Sequence, residues 1–173
     1  MSTTIPTLAG QASDERRIGR GVLLLTVTAA ITFFVTGSGM LEGHAVYPSW
    51  LNLAVFPGFA GYHAAYGNAL LPWLPIPLVL ATALNAWLVF RRPTGVPPAL
   101  LMATLAGQLV VIGVTVAFAL PIQAQLATAG RTPAEITALV ESLIRINYWR
   151  EIPGLAVAAG FVVMLRQALR ARA

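Results

Sequence analysis

The sequence predicts an all-α integral membrane protein: a four-helix bundle with an outer amphipathic helix and an outer aromatic loop. Three observations predict this class. Of the 173 residues, 57% are hydrophobic and 10% are charged, whereas a soluble domain carries about 25% charged residues. The hydrophobic residues form four runs, and short clusters of Arg, Pro and Gly separate these runs. Runs of about 20 apolar residues suit helices that cross a hydrocarbon core of about 30 Å.

The four predicted spans are about 22–43, 69–90, 97–121 and 147–166. The short connection 91–98 predicts that the second and third spans form an antiparallel helical hairpin. Residues 1–20 are mixed, small and polar, so we predict a disordered cytoplasmic leader there. Residues 21–173 show no internal repeat and are interpreted as a single transmembrane domain.

The charged residues indicate how the chain lies in the membrane. There are 11 basic residues against 6 acidic ones, which gives a net charge of +5. Arginines precede the first span, fill the connection between the second and third, and follow the fourth. They are Arg16, Arg17, Arg20, Arg91, Arg92, Arg166, Arg170 and Arg172. Because basic residues favour the cytoplasmic side, we predict a multi-pass protein of the cell membrane with both termini cytoplasmic, and no nucleic-acid partner.

The chain has no cysteine. This absence excludes disulfide scaffolds, zinc sites built on thiolates and iron–sulfur clusters.

Two segments fall on the outer side of this topology. Residues 44–68 are rich in aromatic and turn-forming residues, which is typical of an interfacial loop or re-entrant cap. Residues 132–151 begin with Thr132-Pro133-Ala134-Glu135, a pattern that predicts a capped helix start. Apolar residues then recur at helical spacing, so we predict an amphipathic helix that runs into the fourth span.

The fourth apolar run is short. Residues 152–165 number 14 and cover only about 21 Å as a helix. The helix must therefore extend backward to cross the membrane, which places Asn147, Arg150 and Glu151 within the bilayer or at its edge. Charges at such depth usually face the bundle interior and have partners. Glu42, at the end of the first span, is predicted at the same outer depth.

These positions predict one pocket in the outer leaflet. Glu42, His44 and Arg150 are the candidate catalytic residues. His63, Asn147 and Glu151 are predicted to join them, with Tyr47, Trp50, Tyr62, Tyr148 and Trp149 as the walls.

Other roles for the same residues stay open. Glu42 and Arg150 could form a structural ion pair, and two histidines with Glu42 could form a facial triad for iron. Because their spacing fits no local metal motif, no metal is predicted. Asn85 and Gln108 lie inside the second and third spans, and we predict interhelical hydrogen bonding for them.

Three segments resemble the anthrone-oxygenase-like family of small four-span membrane proteins. They are Glu42-Gly43-His44-Ala45-Val46-Tyr47-Pro48-Ser49-Trp50-Leu51, Pro121-Ile122-Gln123 and Asn147-Tyr148-Trp149-Arg150. The resemblance covers nearly the whole chain from about residue 20, and its strongest match is Asn147 with Arg150. Gln123 stands where an asparagine is expected. The resemblance implies a four-helix fold and oxygenation of an aromatic polyketide without a bound cofactor.

The leading hypothesis is a membrane enzyme that acts on a lipophilic, aromatic or polyketide-like small molecule. Glu42 or a histidine would remove a proton, and Arg150, Asn147 and Gln123 would stabilise the oxyanion. The same residues could drive an isomerisation or cyclisation instead. A second hypothesis is a non-catalytic assembly partner or small transporter, for which glycines at positions such as Gly107 and Gly113 provide helix-packing surfaces. The partners expected are the substrate and the bilayer, and a homo-oligomer stays open.

Overall fold

The computed structural model describes residues 8–171, with side chains from residue 19 onward. Seven α-helices follow one another in this part of the chain: α1 Leu8–Leu41, α2 Tyr47–Leu53, α3 Phe59–Leu70, α4 Pro75–Phe90, α5 Pro98–Val114, α6 Leu120–Leu126 and α7 Pro133–Arg170. Two π-helical segments, Glu42–Val46 and Thr115–Ala119, join α1 to α2 and α5 to α6 without a break. No β-strand occurs within residues 8–171.

Four helical units are long and apolar enough to cross a membrane. They are Gly19–Leu53, Phe59–Phe90, Pro98–Leu126 and Pro133–Arg170. The predicted fold class is therefore confirmed: the chain is an all-α four-helix bundle of the multi-pass membrane type. The short connection between α4 and α5 makes these two packed helices an antiparallel hairpin, as predicted.

The outer aromatic loop predicted for residues 44–68 is wrong. Residues 44–53 continue the first helix, and most of the remainder forms α3. The helix continues to Pro48 through the first π-helical segment. In this segment the N–H of Tyr47, the residue before Pro48, bonds to the Glu42 carbonyl five residues back. The aromatic side chains that suggested an interface instead fill a core, in which Trp50 and Phe59 are almost fully buried.

The start of the first helix differs from the prediction, whereas the start of the last helix agrees with it. Helix α1 begins at Leu8, so residues 8–20, which we expected to be disordered, are helical; residues 1–7 lie outside the described residues. Helix α7 begins as predicted. The Thr132 side chain accepts a hydrogen bond from the Glu135 N–H, and the Glu135 carboxylate accepts one from the Thr132 N–H. The amphipathic segment then continues into the fourth span as one helix.

Two apolar clusters and a polar layer build the interior. One cluster surrounds Leu25, Leu101 and Phe161 near the arginine-rich end, and the other surrounds Trp50 and Val140 near the opposite end. Between them lies the mid-span layer, which consists of Thr32, Asn85, Thr104 and Gln108, all buried. The Asn85 amide donates to the Gln108 carbonyl oxygen over 2.8 Å, so the predicted interhelical bond is confirmed.

Candidate functional site

A hydrogen-bonded group of seven side chains lies toward the α7 N-terminal end of the bundle. This outer cluster consists of Glu42, Tyr47, His63, Tyr66, Gln123, Asn147 and Arg150. The first π-helical segment provides Glu42, and the other members come from α2, α3, α6 and α7. Each of the four long helical units therefore contributes at least one side chain.

The hydroxyl of Tyr47 is the centre of the outer cluster. It donates to the Glu42 carboxylate over 3.2 Å. It also accepts from the Arg150 guanidinium over 3.3 Å and from the Gln123 amide over 3.4 Å. Glu42 and Arg150 thus meet through a shared phenol, and this bridge takes the place of the direct ion pair considered from the sequence.

Glu42 is enclosed by phenols. Its side chain is only 4% exposed, and Tyr66 donates to the carboxylate oxygen that Tyr47 leaves free, over 3.2 Å. A buried carboxylate is costly unless hydrogen bonds and opposite charge compensate it. Two phenol donors and the nearby charge of Arg150 supply this compensation.

Helix α3 enters the cluster through His63. The His63 Nε2 and the Gln123 Oε1 are 2.5 Å apart, and Gln123 in turn reaches Tyr47. The His63 ring packs against Trp50 and Phe59, with ring centroids 4.9 and 5.9 Å away. The predicted residue Trp50 therefore packs behind the polar groups, and His63 connects these packed rings to the outer cluster through Gln123.

Gly43 allows α7 to approach the first π-helical segment. A Cβ built on Gly43 would overlap the side-chain amide of Asn147. That amide donates weakly to the Gly39 carbonyl over 3.5 Å, while its oxygen accepts from Arg150 over 2.5 Å. A larger residue at position 43 would displace Asn147 and, through it, Arg150.

Gly43→Ala is therefore expected to destabilise the bundle by about 1–3 kcal/mol, the usual cost of overpacking a tight contact. The matched control is Gly37→Ala on the same helix, where an added Cβ would have no described atom within 4 Å of it. The control should be neutral or slightly stabilising, because alanine favours helices over glycine. Thermal unfolding in detergent micelles measures both variants, and equal melting temperatures would contradict the close approach.

A cleft of about 60 Å³ opens in the bundle beside the outer cluster. Most of its lining is apolar and comes from α1, α4, α5 and α7. The residues of this central cleft are Thr32, Val35, Thr36, Gly39, Met40, Leu74, Leu78, Ala81, Gln108, Val111, Thr115, Asn147, Arg150, Glu151, Gly154 and Val157. Its one charged end is formed by Arg150 and Glu151, with Asn147 beside them.

His44 and Glu151 share a hydrogen bond at this charged end. The His44 Nε2 and the Glu151 Oε1 are 2.8 Å apart. The His44 side chain is 53% exposed, whereas that of Glu151 is 8% exposed. The pair therefore connects a carboxylate on the cleft wall with the surface of the protein. Glu42, the other candidate acid or base, does not line the cleft.

The prediction of one converging pocket is wrong for three of its walls. Tyr62, Tyr148 and Trp149 are 45%, 51% and 71% exposed. The reason is helical phase, because successive residues turn by about 100° around the helix. Burial of Asn147 turns Tyr148 and Trp149 outward, and burial of His63 turns the preceding Tyr62 outward. Tyr148 only flanks His44 at the surface, with ring centroids 5.9 Å apart.

The remaining predicted residues belong to the outer cluster, to the cleft or to both. Tyr47, His63 and Gln123 join Glu42 in the outer cluster. Glu151 lines the cleft and bonds to the exposed His44, and Asn147 and Arg150 belong to both the cluster and the cleft. Tyr66 was not predicted as a site residue. Its position three residues after His63 places both on one helix face, and this spacing was the available signal.

The iron triad considered from the sequence is not supported by the geometry. His44 pairs with Glu151, while His63 pairs with Gln123. Within the part of the chain that the structure describes, no three His, Asp or Glu side chains gather closely enough to hold a metal ion.

Fold and site together define a multi-pass four-helix membrane protein with an internal cleft that is charged at one end. Comparisons of the chain with models of known families, with curated proteins and with solved structures found no match.

Proposed function

We propose that the protein is a membrane-embedded enzyme that removes a proton from a lipophilic, aromatic or polyketide-like molecule bound in the central cleft. The observation that carries this proposal is that a guanidinium and a carboxylate, those of Arg150 and Glu151, both line the end of an otherwise mostly apolar cleft. Apolar walls suit a lipophilic substrate, and the two charges suit the formation of an enolate at its polar end.

Arg150 would stabilise the enolate oxygen. Its Nε is buried and has no hydrogen-bond partner among the described residues, while one terminal nitrogen is held by Asn147 and Tyr47. A guanidinium fixed by its neighbours can stabilise developing negative charge without reorganising during the reaction. Glu42 acts behind it as a positioning residue, through Tyr47.

Glu151 would accept the proton. It lines the cleft next to Arg150, and its hydrogen bond to His44 links it to the exposed surface. Proton transfer to a positioned side chain requires such proximity to the substrate. This assignment replaces Glu42 of the sequence hypothesis by Glu151, because only Glu151 lines the cleft.

Oxygenation would follow from the carbanion. The carbanion transfers one electron to dioxygen, and recombination of the two radicals with uptake of a proton gives a hydroperoxide. When the carbon bears a second hydrogen, loss of that proton and cleavage of the O–O bond yield a ketone and water. Dioxygen is the oxidant, one of its atoms enters the product, and no bound cofactor takes part in this sequence.

An isomerisation or cyclisation would use the same first step and return the proton to a different atom. We propose the oxygenase activity on the resemblance to the anthrone-oxygenase-like family, with the isomerase or cyclase as the alternative.

For topology, we propose a location in the cell membrane with both termini in the cytoplasm. The support for this is the position of Arg20, Arg91 and Arg166 at one end of the helices.

The test uses purified protein in lipid nanodiscs with anthrone as the substrate. Nuclear magnetic resonance follows deuterium exchange at the acidic carbon, and an oxygen electrode follows oxygen uptake, both against protein-free nanodiscs. Catalysed exchange with oxygen uptake supports the oxygenase. Exchange without uptake favours the isomerase or cyclase, and the absence of both overturns the proposed enzyme in favour of an assembly partner or transporter.

Matched glycine variants test whether the reaction occurs in the cleft. Gly39 lines the cleft and an added Cβ there meets no described atom within 4 Å, so Gly39→Leu should fill the cleft without disturbing the helices. Gly37→Leu lies on the same helix, away from the cleft, with equally open surroundings. We expect Gly39→Leu to lose at least about 90% of the catalysed exchange and Gly37→Leu to retain it. Equal activities would place the reaction outside the cleft.

A further inference from the structure

The mid-span layer carries an inference about the shape of the ligand. Asn85 donates to Thr104 over 3.2 Å and to Gln108 over 2.8 Å. Gln108 donates to Thr32 over 3.4 Å, and Thr32 donates to the Thr28 carbonyl over 2.8 Å. The layer therefore joins α1, α4 and α5 through buried polar side chains.

The hydrogen bonds of this layer are incomplete. The Oδ1 of Asn85 is buried and has no partner among the described residues. The Gln108 amide nitrogen carries two hydrogens, and Thr32 takes one of them at a long distance. Polar groups without partners are unfavourable inside a membrane. The layer thus has capacity both to donate and to accept a further hydrogen bond.

The mid-span layer also meets the central cleft. Thr32 and Gln108 line one end of the cleft, and Arg150 and Glu151 line the other. Thr32 and Gly39, which mark the two ends on α1, are seven residues apart, or about 10 Å along the helix. The walls between the ends include Val35, Leu78, Val111 and Val157. The cleft is therefore polar at both ends and mostly apolar between them, where Thr36 adds one hydroxyl.

We propose that the cleft selects an elongated lipophilic molecule with oxygen functions at both ends. One oxygen binds at Arg150, and the second, a hydroxyl or carbonyl about 10 Å away, binds to Gln108. This inference rests on the proposed function in taking the cleft as the substrate site. It adds that Gln108 is a specificity residue. A ligand that is apolar at the end away from Arg150 leaves the free N–H of the Gln108 amide unpaired.

Binding of two rigid probes tests the proposal without turnover. The first probe is a biphenyl with a hydroxyl on each terminal para carbon, and the second carries only one such hydroxyl. Calorimetric titration into protein in nanodiscs, corrected for partition into empty nanodiscs, gives both affinities. We expect the two-hydroxyl probe to bind wild type about tenfold more tightly, the usual upper value of one neutral hydrogen bond.

Variants assign the difference to Gln108. In Gln108→Leu the two probes should bind equally, and Gln108→Met is the second variant should the first fail to fold. The matched control is Thr115→Val, which alters a cleft hydroxyl that already bonds to the Val111 carbonyl. The tenfold preference should survive in this control.

Equal affinities in wild type, no binding of either probe, or a preference that persists in folded Gln108 variants would overturn the inference. The outcomes separate it from the proposed reaction. Turnover of anthrone with equal probe affinities would support the reaction and contradict the ligand hydrogen bond to Gln108. A tenfold preference without turnover would support that hydrogen bond and contradict the reaction.

Discussion

Glu151→Gln is expected to slow deuterium exchange and oxygen uptake by about 10²- to 10⁴-fold, the usual contribution of a positioned acid or base. Glutamine keeps the size of the side chain and a hydrogen bond to His44, but it cannot accept the proton at the reaction pH. Because the change is nearly isosteric, the melting temperature should move little. Exchange and uptake are measured at saturating anthrone in nanodiscs, so that the loss is assigned to the catalytic step.

Two further carboxylates make this prediction specific. Glu141→Gln is the matched control on the same helix, at an exposed position away from the cleft, and it should retain full activity. Glu42→Gln should reduce activity less than Glu151→Gln, because Glu42 acts only through Tyr47 and Arg150. Full activity of Glu151→Gln together with inactivity of Glu42→Gln would return the role of base to Glu42.

The helical architecture could be predicted because its signals are local. Long apolar runs, flanking arginines and the capping pattern at Thr132 depend on neighbouring residues alone, and each has a direct physical effect on helix formation or membrane crossing. The mid-span hydrogen bond between Asn85 and Gln108 was also predictable, since amides inside apolar spans need partners. These features do not depend on how the helices rotate against one another.

The aromatic segment after Glu42 could not be predicted because its environment is set by distant residues. Tyr47 and Trp50 are amphipathic side chains that suit a membrane interface or a buried core equally well. What decides between these is contact with Phe59, Leu126 and Val140, which belong to other helices. A π-helical segment also gives no clear sequence signal, and it allowed the helix to pass Pro48.

The candidate site was predicted by depth but not by rotation. The prediction that Glu42 and Arg150 lie at one depth agrees with the structure, in which both belong to the outer cluster. Depth alone did not distinguish the carboxylate that lines the cleft, Glu151, from the one enclosed by phenols, Glu42. That distinction follows from helix rotation and from the space between helices, which a single sequence does not encode in adjacent residues.

The outer cluster yields the second large expected effect. Arg150→Leu should lower the free energy of unfolding by about 3 kcal/mol, because it leaves the buried Glu42 carboxylate without its nearby positive charge. Glu42→Gln alone should also destabilise, since it changes an acceptor of two phenol hydrogen bonds. The double variant removes both charges and should be more stable than the sum of the single losses implies, with a coupling energy of about 1–3 kcal/mol. Unfolding by dodecyl sulfate in mixed micelles measures the four proteins of the cycle.

Tyr47→Phe then tests how the coupling is transmitted. The Tyr47 hydroxyl is the single atom that bonds to both Glu42 and Arg150, so its removal should reduce the coupling energy to below about half, while Coulomb attraction across the gap retains the rest. Tyr148→Phe, at an exposed phenol on α7, is the matched control and should leave the coupling unchanged. An undiminished coupling in Tyr47→Phe would mean that the two charges act on each other directly through space. A coupling near zero in the original cycle would mean that Glu42 does not position Arg150, and the position of Arg150 at the cleft would then depend on Asn147 and Tyr47.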